Sequence, residues 1–128
     1  MKRLLRQFRH GQRGFTLIEL LIVIAILGII AAIVVPNVAG FMISGTLNAA
    51  NTEVANVKTA AVGYLAEEGA WPTSSDQLAD FLEGGTANLK ATYTFVNNSI
   101  TAAAKVGDDY ANLTWEVATQ TWIRTPAS

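Results

Sequence analysis

The chain has no cysteine, which removes disulfide staples and thiolate metal sites together. Its single imidazole, His10, leaves too few parts for a zinc site or a Ser-His-Asp hydrolase. Charge is scarce as well: 15% of the 128 residues are charged, against 51% that are hydrophobic. No acid precedes Gly14, where Lys2, Arg3, Arg6, Arg9 and Arg13 stand, and the ten acids that follow it are joined by only Lys58, Lys90, Lys105 and Arg124. A cut after Gly14 leaves 4 − 10 = −6 from side chains. A product of that sign is poorly suited to phosphate contacts, so nucleic acid is not expected as a direct partner. The length accommodates one small domain and one membrane segment, and no catalytic constellation stands out, so the chain is not expected to be an enzyme.

What the sequence does have is one long apolar run. Phe15 to Val35 is 21 residues with Glu19 as its only charge. A helix of that length rises about 31 Å, close to the hydrocarbon thickness of a bilayer, so residues 15–36 are read as a membrane-spanning helix. The basic residues before it predict Met1–Gly14 on the cytoplasmic side and everything after Pro36 across the membrane. A secretory signal peptide fits less well, because the sixteen apolar or small residues from Leu20 to Val35 exceed an h-region of roughly 7–15 and Val38-Ala39-Gly40 is a mediocre cleavage site. Neither that reading nor a plain anchor accounts for Glu19. A carboxylate at the bilayer centre is penalised by roughly 2.5–3.5 kcal/mol, less near the interface, and such a residue marks a function that needs a partner.

The octapeptide Arg13-Gly14-Phe15-Thr16-Leu17-Ile18-Glu19-Leu20 resembles the class III signal of type IV pilins and type II secretion pseudopilins. The resemblance covers about the first 45 residues. It joins a short basic leader, Gly14 before the cut, Phe15 after it, Glu19 as the fifth mature residue, and Gly28 and Pro36 at the family's usual spacings. It implies removal of residues 1–14 by an inner-membrane prepilin peptidase cutting after Gly14, N-methylation of Phe15, and polymerisation into a homo-oligomeric filament by an inner-membrane platform and its assembly ATPase. It also gives Glu19 a partner: in a staggered filament its carboxylate meets the Phe15 amine of a neighbour in a low-dielectric surround. Pro36 lacks the N–H that would bond the Ala32 carbonyl, so a kink is expected there. In the resembling family this stretch can lose helical structure on assembly, and Gly28 and Pro36 are assigned to helix flexibility on that basis; on the residues alone a static kink in a membrane helix fits as well.

After Pro36 the pattern turns amphipathic. Leu47, Ala50, Val54, Val57, Ala61, Tyr64, Leu65 and Glu68 recur at spacings of three and four, with Asn48, Asn51, Thr52, Glu53, Asn56 and Lys58 on the other faces. Residues 37–69 are therefore the amphipathic half of a long helix, softened at Gly40 and Gly45, capped at Gly69 and stopped by Pro72. Residues 70–128 form a globular head. Ser74 and Gln77 have capping-box spacing and open a short helix through Leu82, halted by Gly84-Gly85. From Ala91 the period is two: Ala91, Tyr93, Phe95; then Ile100, Ala102, Ala104, Val106; then Leu113, Trp115, Val117; with Trp122 and Ile123 in a fourth run. Asn97-Asn98 and Ala118-Thr119-Gln120 are turn signals. The fold class is α+β: a long N-terminal helix packed on a three- or four-stranded antiparallel meander, with Trp115 and Trp122 in its core.

Other candidates are slight. Asp108 and Asp109 resemble loosely the acidic loop where some secretion pseudopilins hold calcium, but two adjacent carboxylates fall short of six to eight oxygens, which favours a solvated turn and no cofactor. Asn97-Asn98-Ser99 and Asn112-Leu113-Thr114 match the glycosylation triplet, a pattern common by chance. The expected function is a structural filament subunit. The alternatives are a major pseudopilin of a type II secretion system, towards which the lack of paired cysteines and the Trp-containing hairpin lean, and a minor tip subunit that binds DNA, a surface or a secreted substrate.

Overall fold

The structure, a computed structural model, describes residues 14–127; the leader expected over residues 1–14 lies, but for Gly14, outside the described residues. The elements in order are one helix, α1 (Leu17–Glu68), a 3-10 helix (Ser75–Phe81), a single 3-10 turn (Thr86–Asn88), and strands β1 (Ala91–Val96), β2 (Ser99–Lys105), β3 (Leu113–Glu116) and β4 (Thr121–Arg124). The chain parts into two compact units between Ala39 and Gly40, within α1.

In the first unit α1 is long and apolar enough to cross a membrane, and nothing in its apolar window is buried. The helix is assigned without a break through Ala32 and Pro36. Asn37 supports that continuity: beside the proline, which disturbs the local ladder, its Nδ2 donates to the Ile33 carbonyl at 3.4 Å.

In the second unit one face of α1, made by Ala50, Val54, Val57, Ala60 and Ala61, is buried against the head. The helix ends where glycine permits it: Gly69 adopts φ 74 and its N–H reaches the Leu65 carbonyl at 2.9 Å. The expected capping box is present, with Ser74 accepting from Asp76 N–H at 3.3 Å and the Gln77 side chain accepting from the Ser74 N–H. The segment it opens is a 3-10 helix closed by Leu82. Its Leu78 is fully buried, while Phe81 lies over Gly63 of α1, where an added Cβ would stand 3.1 Å from the ring.

Of the three or four strands expected, four are present and antiparallel, but they pair as two hairpins, β1–β2 and β3–β4, and not as one continuous meander. The reason lies in residues 107–112, a turn-rich connection in which Gly107 takes φ 72 and Tyr110 folds inward, 4% exposed, with its ring 5.2 Å from that of Trp122. Side chains bridge the gap: Gln120, at φ 53 in the second turn, accepts from the Ile100 N–H at 3.1 Å. The outer edge of β1 is covered by residues 73–75, since Phe95 N–H reaches Thr73 O and Tyr93 N–H reaches the buried Ser75 Oγ.

The face expected for β2 also needs correcting. Pairing passes from Thr94↔Ala102 to Phe95↔Ile100, so Thr101 is an extra residue and the strand carries a bulge. Beyond it the pleat is inverted: Ile100 is buried, but Ala103 rather than Ala102 or Ala104 packs on the core, and Val106 is exposed. Likewise Val117 leaves the β3 pattern because it belongs to the turn.

Candidate functional site

The N-terminal end of α1 is built from the sequence Thr16-Leu17-Ile18-Glu19. Thr16 stands before the first helical residue, and its Oγ1 accepts the Glu19 N–H at 3.2 Å while Glu19 Oε2 accepts the Thr16 N–H at 2.8 Å. This is a reciprocal capping box. It satisfies two of the amides that a helix start leaves without partners, and it places a negative charge at the positive end of the helix dipole. Glu19 therefore has a partner inside its own chain, where the sequence reading paired it only with a neighbour. The signal was legible, because a threonine followed three residues later by a glutamate ahead of an apolar run is the capping-box signature. Among the described residues Oε1 of Glu19 makes no hydrogen bond.

Upstream of the cap, Gly14 and Phe15 lie outside the helix. Phe15 is 87% exposed, and nothing lies within 4 Å of where a Gly14 Cβ would be. Gly28 is similarly open. Gly14, Phe15 and Glu19 thus lie together at one helix end, whereas Gly28 and Pro36 stand further along the apolar segment.

The head is organised around a carboxylate that the sequence reading left on a solvent face. Glu53, on α1, accepts from Tyr93 Oη at 2.7 Å, Tyr110 Oη at 3.1 Å and the Lys90 N–H at 2.9 Å. Tyr93 Oη in turn accepts from the Trp122 Nε1–H at 3.1 Å. Trp122 pairs with Trp115 across the last hairpin, the rings edge to face at 5.6 Å, and Trp115 meets Tyr93 at 5.9 Å. Burial raises the phenol pKa of Tyr93 well above its ordinary value; the Trp122 bond opposes this and Glu53 adds to it. Tyr110 is raised by burial and then by the Glu53 charge. One helix residue thus holds β1, the 107–112 connection and, through Tyr93, β4. Asn51 does similar work on the β4 backbone, its amide exchanging two hydrogen bonds with the N–H and carbonyl of Trp122 at 2.8 and 3.1 Å. Neither role is visible from helical spacing, since a polar residue at the border of an apolar stripe looks solvated until its partners are placed.

The acidic pair is divided. Asp109 meets Lys90 Nζ at 3.0 Å, and the Asp108 carbonyl accepts from the Ala111 N–H. Among the described residues no group of three or more His, Asp or Glu side chains is placed to hold a metal ion.

Residues 9–35 match the family model described as the prokaryotic N-terminal methylation motif. The chain is 35% identical over 98 residues to the fimbrial protein EcpC of Eikenella corrodens, covering 75% of this chain and 58% of that one. It is 39% identical over 75 residues to the type IV major pilin protein PilA of Myxococcus xanthus, 59% of this chain and 31% of the relative. It is 31% identical over 85 residues to the type II secretion system core protein G of Klebsiella michiganensis, 66% and 60% of the two chains. The chain therefore spans from about a third to three fifths of the length of these relatives. No solved structure matches it. An apolar helix unburied over its whole first half, a small antiparallel head, the methylation motif and these relatives place the chain in the family of type IV pilins and type II secretion pseudopilins.

Proposed function

We infer that the chain is a non-enzymatic structural subunit of a type IV filament. It is held first in the cytoplasmic membrane by residues 15–36, with the leader inside and the head outside, and is then drawn into a polymer. The observation that carries this reading is an uncharged stretch of α1, Leu20–Val35, whose large side chains are about half to two-thirds exposed among the described residues. Lipid covers such a surface before assembly and neighbouring copies cover it afterwards, and a free monomer in water has neither.

Cleavage after Gly14 converts Phe15 into a new amino terminus, one residue before the Thr16 cap. Both residues sit outside the helix in exposed backbone, a form in which a peptidase can engage them. The Glu19 carboxylate, at the same helix end, is then a counter-charge for an amine, its own or that of an adjacent copy, in surroundings where unit charges attract far more strongly than in water. Mass spectrometry of protein from the native host tests the processing: the expected product begins at N-methylated Phe15, and retention of residues 1–14 refutes it. Electron microscopy of a Glu19→Ala strain tests assembly, where filaments at the wild-type rate from normally processed protein would refute the role of Glu19.

The match to core protein G favours a second reading within the same class, the main subunit of a secretion pseudopilus. Immunogold labelling separates the two: long surface fibres carry the label for a pilus, and fibres confined to the cell envelope carry it for a pseudopilus.

A further inference from the structure

Arg124, the last residue of β4, reaches back to α1. Its Nη2 donates to the Gly40 carbonyl at 3.3 Å and to Ser44 Oγ at 3.5 Å, and Ser44 Oγ donates to the same carbonyl at 3.1 Å. These contacts hold the guanidinium beside the first turn of the second unit, where the residue is exposed. They use one of its nitrogens; the other N–H groups make no hydrogen bond among the described residues. The ion pair found among those residues joins Lys90 to Asp109, so Arg124 has no carboxylate of its own. A planar cation with free, forked donors on a surface selects an oxyanion that accepts two of them at once, a carboxylate or a phosphate.

Depth decides between the two. Along a helix, Glu19 to Gly40 rises about 32 Å, against a hydrocarbon core of about 30 Å, so a span that keeps the Glu19 carboxylate at one interface brings Gly40 to the other. Phe41 and Met42, on the same turn, are 77% and 68% exposed. Side chains on a helix lean towards its N-terminus, here towards the hydrocarbon, which suits two large apolar groups set just beneath a cation. Before assembly the oxyanions at that depth are lipid phosphates, whereas Glu67 and Glu68 lie roughly 40 Å further along α1. We propose that in the membrane-held precursor Arg124 binds the phosphate of a phospholipid in the leaflet on the head's side, with Phe41 and Met42 at the hydrocarbon boundary beside it. This rests on the membrane reading given under the proposed function and adds to it a headgroup site that fixes the depth of the span. Glu19 and Arg124 then bracket the hydrocarbon, and drawing the subunit into a filament has to break the phosphate contact.

The test places the full chain in phosphatidylcholine nanodiscs doped with a phosphatidylcholine that carries a photoactivatable diazirine in its headgroup. Lipid adducts are mapped by mass spectrometry. The unaltered chain is expected to carry adducts at residues 40–44 and 124. Arg124→Ala should lower their yield at least fivefold, Arg124→Lys should stay within twofold because it keeps the charge, and Lys58→Ala, about 27 Å beyond Gly40 along α1, should change nothing. Should Arg124→Ala also depress the melting temperature of the head, Arg124→Gln replaces it, since its amide keeps a donor for the Gly40 carbonyl without the charge, and the same fivefold loss is expected. Equal adduct yields for Arg124→Gln and the unaltered chain overturn the headgroup site and leave the membrane reading standing. So does an equal loss from Lys58→Ala. Adducts abolished by added inorganic phosphate overturn the lipid as the source of the anion. Unchanged adducts together with lost filaments in an Arg124→Ala strain overturn the site in favour of a carboxylate on another copy. A chain that does not co-isolate with the nanodiscs overturns the membrane reading as well.

Discussion

Replacing Glu53 by alanine removes the acceptor shared by three donors, and the structure allows the loss to be apportioned. The Lys90 N–H is on an exposed residue, so water takes the place of the carboxylate there at little net cost. Tyr110, itself buried, loses a longer bond at 3.1 Å, worth about 1 kcal/mol. Tyr93 is fully buried, and its 2.7 Å bond is charge-assisted; with Trp122 already donating to its oxygen, its own proton is left with no acceptor, for about 2–3 kcal/mol. The better helix propensity of alanine returns a few tenths of a kcal/mol. The sum is about 3–4 kcal/mol, a large fraction of the stability of a domain this small. At about 4–8 °C per kcal/mol for such a domain, thermal melting of the detergent-solubilised protein, followed by tryptophan fluorescence, is expected to fall by about 12–30 °C. Tyr93→Phe should fall by a comparable amount, and the double substitution by much less than the sum, with a coupling of about 2 kcal/mol. Glu83→Ala, which removes an exposed acid, serves as the control. A Glu53→Ala protein melting within 5 °C of the unaltered one, or two fully additive substitutions, refutes the claim that this carboxylate ties the head to the helix.

Three further outcomes follow from named contacts. The folded state raises the phenol pKa of Tyr93 and Tyr110, so as pH climbs past 10 the unfolded chain releases protons that the native chain retains; the head is then fully stable on this account below pH 10 and loses stability above it, with a linkage of up to two protons measurable from melting against pH. A melting temperature flat from pH 9 to 11.5 contradicts this. Gly63→Ala should move the melting temperature by only a few degrees, because about 1 kcal/mol of gained helix propensity offsets a 3.1 Å contact with a ring free to shift, whereas Gly63→Ile should displace Phe81 at about 1–3 kcal/mol; equal melting of the two contradicts the packing. Thr16→Val should remove the cap on the Glu19 N–H, costing about 1 kcal/mol confined to the first turn of α1, which hydrogen exchange at residues 17–19 reads while head melting stays constant; unchanged protection there rules the capping box out.

How much of this was legible before the fold was known depends on whether the signal is local. The capping box at Ser74 and Gln77, the helix end at Gly69 and the turn at Asn97-Asn98 each involve residues within three or four positions, and the sequence pattern located all of them. The buried face of α1 was also legible at Ala50, Val54, Val57 and Ala61, because a 3.6-residue period reports burial whatever lies opposite. The pattern failed where a residue's role is set by chain far away. Glu53 joins partners 37, 40 and 57 positions distant, and Asn51 one 71 positions distant. The bulge at Thr101 inverts the second half of β2, although alternation along Ile100, Ala102 and Ala104 looks regular, because three alanines give the pleat little apolar contrast to fix its register.

The same division bears on Glu19. Its role at the helix start is a contact over three residues and is present in a single chain, whereas a pairing with the Phe15 amine of another copy is a contact between molecules. The two are compatible, since the capping box occupies one carboxylate oxygen, Oε2, and holds the side chain at the end of the helix next to Phe15. Glu19 therefore has a role before any neighbour arrives: its carboxylate is bonded and positioned by its own backbone, which lowers the desolvation penalty an isolated acid would meet in an apolar surround. Glutamine at position 19 can keep the acceptor and the cap but not the charge. Glu19→Gln thus separates the two roles, since it should insert and fold as the parent does and yet fail at whichever step requires the amine to be neutralised.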